Sequence, residues 1–193
     1  MKPKSKNIVI MVSGYKRAGK DFVSLKLNEL IVGSKVMSFA EPMKDIIAIT
    51  MDISKEELNE YKNKALEVNV ILEPDEIISD LASLGNMRSI LQRFGTEAMK
   101  KHFGNDVWAE LLLSKMPIDE VVIISDWRFR SEYERLVKDR RIVTIRINDD
   151  NLKGDGHISE HDLDDFDFDI IVDNTKKDGS ILEDIRAIHK DLF

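Results

Sequence analysis

The sequence predicts an α/β fold built on a mainly parallel sheet. Three observations carry that prediction: short, almost wholly apolar runs recur along the chain, helical patterns separate them, and a glycine turn follows the first run directly. Residues 7–12 (NIVIMV) read as a strand covered on both faces. Residues 20–30 place Phe22, Val23, Leu25, Leu27 and Leu30 at helical spacings, with Gly33 as a stop signal. Residues 35–39 (KVMSF) read as a second strand, and Pro42 suits the first turn of a helix in EPMKDIIAITM. Ser54 and Glu57 form a capping-box pair, Pro74 marks a further helix start, and residues 54–104 contain no convincing strand. Strands resume at 120–125 (EVVIIS) and 142–147 (IVTIRI), separated by a helix at 129–138. A short strand at 169–172 then precedes a helix at 181–192. Right-handed crossovers join such strands, and ligands sit at their carboxyl ends.

With 193 residues and no repeat, low-complexity tract or Pro/Gly/Ser-rich linker, the chain reads as one domain, 1–193. Within it, a helical insertion spans about residues 52–116, and a polar, hinge-like, lid-like segment containing GDGHISEH spans about 149–166. The absence of cysteine excludes disulfides, thiolate metal sites and cysteine nucleophiles. No apolar run approaches the roughly 20 residues that cross a bilayer, and MKPKSKNIVIMVSG lacks the features of a secretory signal. The expectation is a cytoplasmic protein without a membrane partner. A net charge of −7 argues against binding a nucleic-acid polymer but leaves small phosphorylated ligands open.

The chemistry begins at Gly14-Tyr15-Lys16-Arg17-Ala18-Gly19-Lys20-Asp21, which matches G-x-x-x-x-G-K between a predicted strand and a predicted helix. The glycines permit a tight loop whose backbone N–H groups converge. The helix amino terminus adds partial positive charge, and Lys20 can reach the outer phosphates of a nucleoside triphosphate. The bland alternative is a capping turn followed by a solvated lysine. Asp21 stands where Ser or Thr is usual; it can approach Mg²⁺ directly or through water, or simply favour the helix dipole.

Two more clusters fall where the fold would place ligands. Projected at about 100° per residue, residues 86–103 put Met87, Ile90, Leu91, Phe94 and Ala98 on one face and Arg88, Gln92, Gly95 and Thr96 on the other. Arg88 and Gln92 are i, i+4 neighbours suited to a phosphate and a base or sugar, and Gly95 leaves room for a ligand. An exposed polar helix face is the ordinary alternative. After EVVIIS come Asp126, able to position Mg²⁺ or a substrate hydroxyl, and Arg128, a bidentate phosphate donor; Glu132 follows in the next helix. Asp126 as a helix cap and an Arg128–Glu132 ion pair are the structural alternatives. Trp108 and Trp127 read as packing residues.

The segments SGYKRAGKD, RSILQRFGTEAMKKHFGNDVW, SDWRFRSEYE and HISEHD, in this order, resemble the deoxynucleoside monophosphate kinases of bacteriophages. The resemblance implies a P-loop NTPase-type three-layer fold with a helical monophosphate-binding insertion, and transfer of the ATP γ-phosphoryl group to a deoxynucleoside 5′-monophosphate. Gly14, Arg17, Ala18, Gly19, Lys20, Asp21 and Phe22 would then form the ATP side, with Asp21 near Mg²⁺. Arg88, Gln92, Gly95, Thr96 and Trp108 match the monophosphate side. Asp126, Arg128 and Glu132 match the strand-end motif, with Lys20, Asp126 and Arg128 as the catalytic set. His157, Ser159 and Glu160 match the lid-like segment. The partners implied are small molecules, and a homodimer is compatible. Animal-type phosphomevalonate kinases are similar in the GKD loop and the strand-end D-x-R, though the segment from Arg88 to Trp108 favours the deoxynucleotide family. A non-catalytic ATP-binding switch is the alternative from another class.

Overall fold

Every residue of the first strand, β1 (Ile8–Gly14), is buried, so this strand must have neighbours on both edges and cover on both faces. The computed structural model describes residues 7–61, 90–91, 93–154 and 156–192. In it, β1 is the central strand of a five-stranded sheet with β2 (Lys35–Met37), β3 (Val122–Ile124), β4 (Arg141–Asn148) and β5 (Ile170–Asp173), ordered β2-β3-β1-β4-β5. All four pairings are parallel; Ile10 lies level with Ile123 on one side and Val143 on the other. The expected α/β class therefore holds, with a wholly parallel sheet.

Seven α-helices of four or more residues lie among the described elements: α1 (Lys20–Leu30), α2 (Ala40–Met51), α3 (Lys55–Tyr61), α4 (Val107–Lys115), α5 (Arg130–Leu136), α6 (Ile158–His161) and α7 (Ile181–Leu192). A π-helical segment, Arg93–Lys100, runs into a short helical turn, Lys101–Phe103, ahead of α4. None of the helices among the described residues is long and apolar enough to cross a membrane.

The chain divides into two compact units, Met1–Phe39 with Ala109–Phe193, and Ala40–Trp108. In the first, strand alternation sends Ile8, Ile10 and Val12 to one face, where they share a core with Val23 and Leu27 of α1 and Ile181, Ile185 and Ile188 of α7. Val9 and Met11 point to the opposite face. An aromatic cluster closes around the fully buried Trp127, which meets Phe166 edge-on at 4.9 Å and Phe168 at 5.4 Å. Each such buried side chain contributes about 1.5–3 kcal/mol of transfer free energy.

Among its described residues, the second unit is helical. Ile47, Ala48, Leu58 and Leu91 form its core, with Met43, Ile53 and Phe94 packed against them. The capping box is present: the Ser54 N–H donates to the Glu57 carboxylate at 2.8 Å and the Glu57 N–H donates to Ser54 Oγ at 3.1 Å. The face assignment over residues 86–103 holds for Ile90, Leu91 and Phe94, which pack in this core, and needs correction at Gly95 and Ala98. Gly95, placed by the α-helical projection on the open face, is buried, whereas Ala98, placed on the packing face, is exposed. The segment winds with i→i+5 bonding, so a projection at about 100° per residue misassigns its sides. Pro74 lies outside the described residues.

Candidate active site

The sheet order reverses direction at β1, with β3 on one side and β4 on the other, and ligands in such sheets bind beyond the carboxyl end of that strand. Gly14 ends β1 there. A Cβ on Gly14 would come within 2.5 Å of the Ile147 carbonyl oxygen, so β4 passes too close for any other residue. Ala18 N–H then donates to the Tyr15 carbonyl at 3.1 Å, closing a tight turn, and Arg17 takes a φ of 71° at its exposed tip. Gly19, with φ 105°, leads into α1.

Lys20 is the first residue of α1 and is only 8% exposed. Its ammonium donates to the Gly14 and Tyr15 carbonyls, each at 2.8 Å. Burial, reinforced by the neighbouring Arg128 guanidinium, pushes its pKa down to about 7 against the opposing pull of Glu160, Asp21 and Asp126. Ala18 is buried beneath the loop, and Asp21 and Phe22 are exposed in the first turn of α1.

The strand-end cluster stands beside this loop. Asp126 does not cap α5; its carboxylate accepts from Ser38 Oγ at 2.7 Å and from the Phe39 N–H at 2.8 Å, tying the ends of β3 and β2 together. Nor do the Arg128 and Glu132 side chains pair. Glu132, 3% exposed, accepts from the backbone N–H groups of Arg128 and Phe129, both at 3.1 Å, and so fixes the entry to α5. The Arg128 guanidinium reaches the loop: Nη1 donates to Glu160 Oε1 at 2.5 Å and approaches the Gly14 carbonyl at 3.5 Å.

The lid-like stretch is pinned to the same loop. Glu160 Oε2 accepts the Lys16 N–H at 3.0 Å. Tyr15 donates its hydroxyl hydrogen to Asp164 at 2.9 Å and stacks under the Arg146 guanidinium, 4.8 Å from its ring centre, while Arg146 also donates to Asp164 at 3.1 Å. His157 caps α6, its Nδ1 accepting from the Ser159 N–H at 3.2 Å.

Of the residues expected on the monophosphate side, Arg88 and Gln92 lie outside the described residues. Gly95, Thr96 and Trp108 belong to the second unit. There the buried Trp108 donates its indole N–H to the Gly95 carbonyl at 2.9 Å. The space beside Gly95 is filled: a Cβ would meet the Met43 sulfur at 2.7 Å.

Asn174 escaped the sequence reading. It follows β5 directly, its N–H donates to the Asn148 carbonyl at 2.8 Å, and its side-chain amide donates to the Ala18 carbonyl inside the loop at 2.9 Å. The available signal was its position at the carboxyl end of a parallel strand.

A wholly parallel sheet in this order, with a glycine loop and a lysine between the central strand and the first helix, defines the P-loop NTPase type of α/β protein. The deoxynucleotide monophosphate kinase family model matches residues 55–187, more than half of the sequence, and the chain belongs to that family. The matched range contains Asp126, Arg128, Glu132, Glu160 and Asn174, while the glycine loop precedes it. No curated protein matches significantly. Among solved structures, the crystal structure of APE1195 is similar at 11% identity and TM-score 0.50, over 97% of this chain and 96% of that one, which bears on fold alone. An unliganded sugar kinase from Janibacter sp. HTCC2649 is similar at 14% identity and TM-score 0.39, over 96% of this chain and 95% of that one.

Proposed function

We propose that this family member transfers the γ-phosphoryl group of ATP to a deoxynucleoside 5′-monophosphate, giving the diphosphate and ADP. The observation that supports it is the meeting of the Lys20 ammonium and the Arg128 guanidinium at one glycine loop, at the switch point of a parallel sheet. Two cations beside a helix amino terminus suit a polyanion. A triphosphate seated there would favour the charged form of Lys20 that burial disfavours.

The chemistry asks little of a base. A phosphate oxygen of the acceptor attacks the γ-phosphorus, the bond to the bridging oxygen breaks, and its electron pair leaves on ADP. The obstacle is repulsion between two anions. Lys20 and Arg128 would hold the donor and stabilise charge on the transferring group, and Asp126, fixed by Ser38 and Phe39, would orient the acceptor side. Asp21 offers an exposed carboxylate one residue past Lys20. Among the described residues no group of three or more His, Cys, Asp or Glu could hold a metal. The Asp21 carboxylate would therefore be a lone protein ligand, in keeping with Mg²⁺, which binds through one or two carboxylates together with substrate phosphates and water. Mg²⁺ bound there would neutralise phosphate charge.

Arg88, Gln92 and Thr96 would serve the monophosphate, with the buried Gly95–Trp108 pair as packing behind them. The test is ADP release with each of the four common deoxynucleoside monophosphates, their ribose counterparts and phosphomevalonate. Release dependent on a deoxynucleotide supports the reading. Release only with phosphomevalonate would assign the second kinase chemistry, and ATP binding without release would mark a switch.

A further inference from the structure

Glu160 is 7% exposed, and a carboxylate so placed must be paired to tolerate its desolvation. Its two oxygens serve different donors: Oε2 takes the Lys16 N–H of the phosphate loop and Oε1 takes Nη1 of Arg128. Arg128 has little else to hold it. Its other side-chain contact among the described residues is the Gly14 carbonyl at 3.5 Å, at the limit of a hydrogen bond. A free arginine side chain samples many rotamers, and the Lys20 ammonium repels it. Glu160 itself is seated by α6, where its N–H donates to the His157 carbonyl at 3.0 Å. That segment is latched to the start of α5 through Asp162, which accepts the Arg130 N–H at 2.8 Å.

We infer that Glu160 is a positioning residue for phosphoryl transfer: by taking the loop amide with one oxygen and the Arg128 guanidinium with the other, it sets where Arg128 stands over the phosphate loop. The inference rests on the function proposed above and gives the lid-like segment a task. Misplacing a transition-state donor by about 1 Å can cost about a hundredfold in rate, so a shortened or neutral side chain at this position should act on turnover more than on ATP binding.

The experiment is a double-mutant cycle on the full chain, reading kcat and KM for ATP with a deoxynucleoside monophosphate. The proteins are the parent, Glu160→Gln, Glu160→Asp, Arg128→Ala and Arg128→Ala/Glu160→Gln, with melting temperatures measured alongside. Glu160→Gln should lower kcat by at least about tenfold while KM for ATP changes less than about threefold. Glu160→Asp, which keeps the charge but is one methylene too short to reach both donors, should also lose turnover and remains informative if the Gln variant fails to fold. In the Arg128→Ala background, Glu160→Gln should cost less than about twofold, because its effect passes through the arginine. Additive losses, or full turnover in both Glu160 variants while Arg128→Ala is impaired, would overturn this inference alone. Tighter ATP binding with kcat intact would do the same, by showing a carboxylate that merely competes for the loop. Full turnover in Arg128→Ala would overturn the reading of the site and this inference with it.

Discussion

The side-chain amide of Asn174 donates to the carbonyl of Ala18 at 2.9 Å, joining the end of the last strand to the inside of the glycine loop across 156 residues of sequence. The same amide nitrogen lies 2.7 Å from where a Cβ on Gly19 would stand. Gly19 is thus required both by its φ of 105° and by its neighbour.

Asn174→Ala should therefore loosen the loop without dismantling the sheet. One hydrogen bond is worth about 1 kcal/mol, so KM for ATP should rise about fivefold, with kcat changed less and the melting temperature only slightly lower. Steady-state kinetics at varied ATP measure this. An unchanged KM for ATP would separate Asn174 from the loop's function.

Asp126 carries a structural and a proposed chemical duty that substitution can separate. Asp126→Ala removes the acceptor shared by Ser38 and the Phe39 N–H and should cost about 1–3 kcal/mol in a urea melt. Asp126→Asn keeps an acceptor oxygen but not the charge. It should recover most of the stability while turnover stays at least about tenfold down. Recovery of both together would reduce Asp126 to a strap between β2 and β3.

Asp164 predicts an acid-sensitive contact. Burial pulls its carboxyl upward, but hydrogen bonds from His161 and Tyr15 and the charge of Arg146 outweigh that and hold it below the usual carboxylate range. A lowered folded-state pKa gives stability that is present above the unfolded value, near 3.9, and is lost as pH falls through the folded value. Asp164→Asn should thus be less stable than the parent at neutral pH, with the difference closing below about pH 4. Urea melts across that range test it; a difference independent of pH would remove Asp164 from the acid response.

Local rules made much of this fold legible. The helices Lys20–Leu30 and Ile181–Leu192 lie where apolar spacing places them, the first ending shortly before Gly33, and β1 opens with an apolar run because both its faces are covered. The glycine loop follows from its spacing between strand and helix. What escaped was set by partners distant in sequence. Glu160 meets Lys16 across 144 residues and Arg128 across 32, and Asn174 meets Ala18 from the far end of the chain. Glu132 looked like an ion-pair partner at i+4, yet backbone amides claim its carboxylate, because a 3% exposed acid at a helix start is satisfied most cheaply by the N–H groups already there. The π-winding of Arg93–Lys100 left no trace in apolar periodicity, so the faces around Gly95 and Ala98 were exchanged.

On the proposed function, Lys20 and its loop hand a phosphoryl group to a second nucleotide. That transfer is tested most directly by incubating the chain with ATP labelled at the γ-phosphate and a deoxynucleoside monophosphate, then following the label in parent and Lys20→Ala. The prediction is label in the deoxynucleoside diphosphate, with the rate falling about a hundredfold or more in the variant, a loss of about 3 kcal/mol of transition-state stabilisation. Label that stays in ATP or passes only to water, or a Lys20→Ala variant that transfers as fast as the parent, would contradict it.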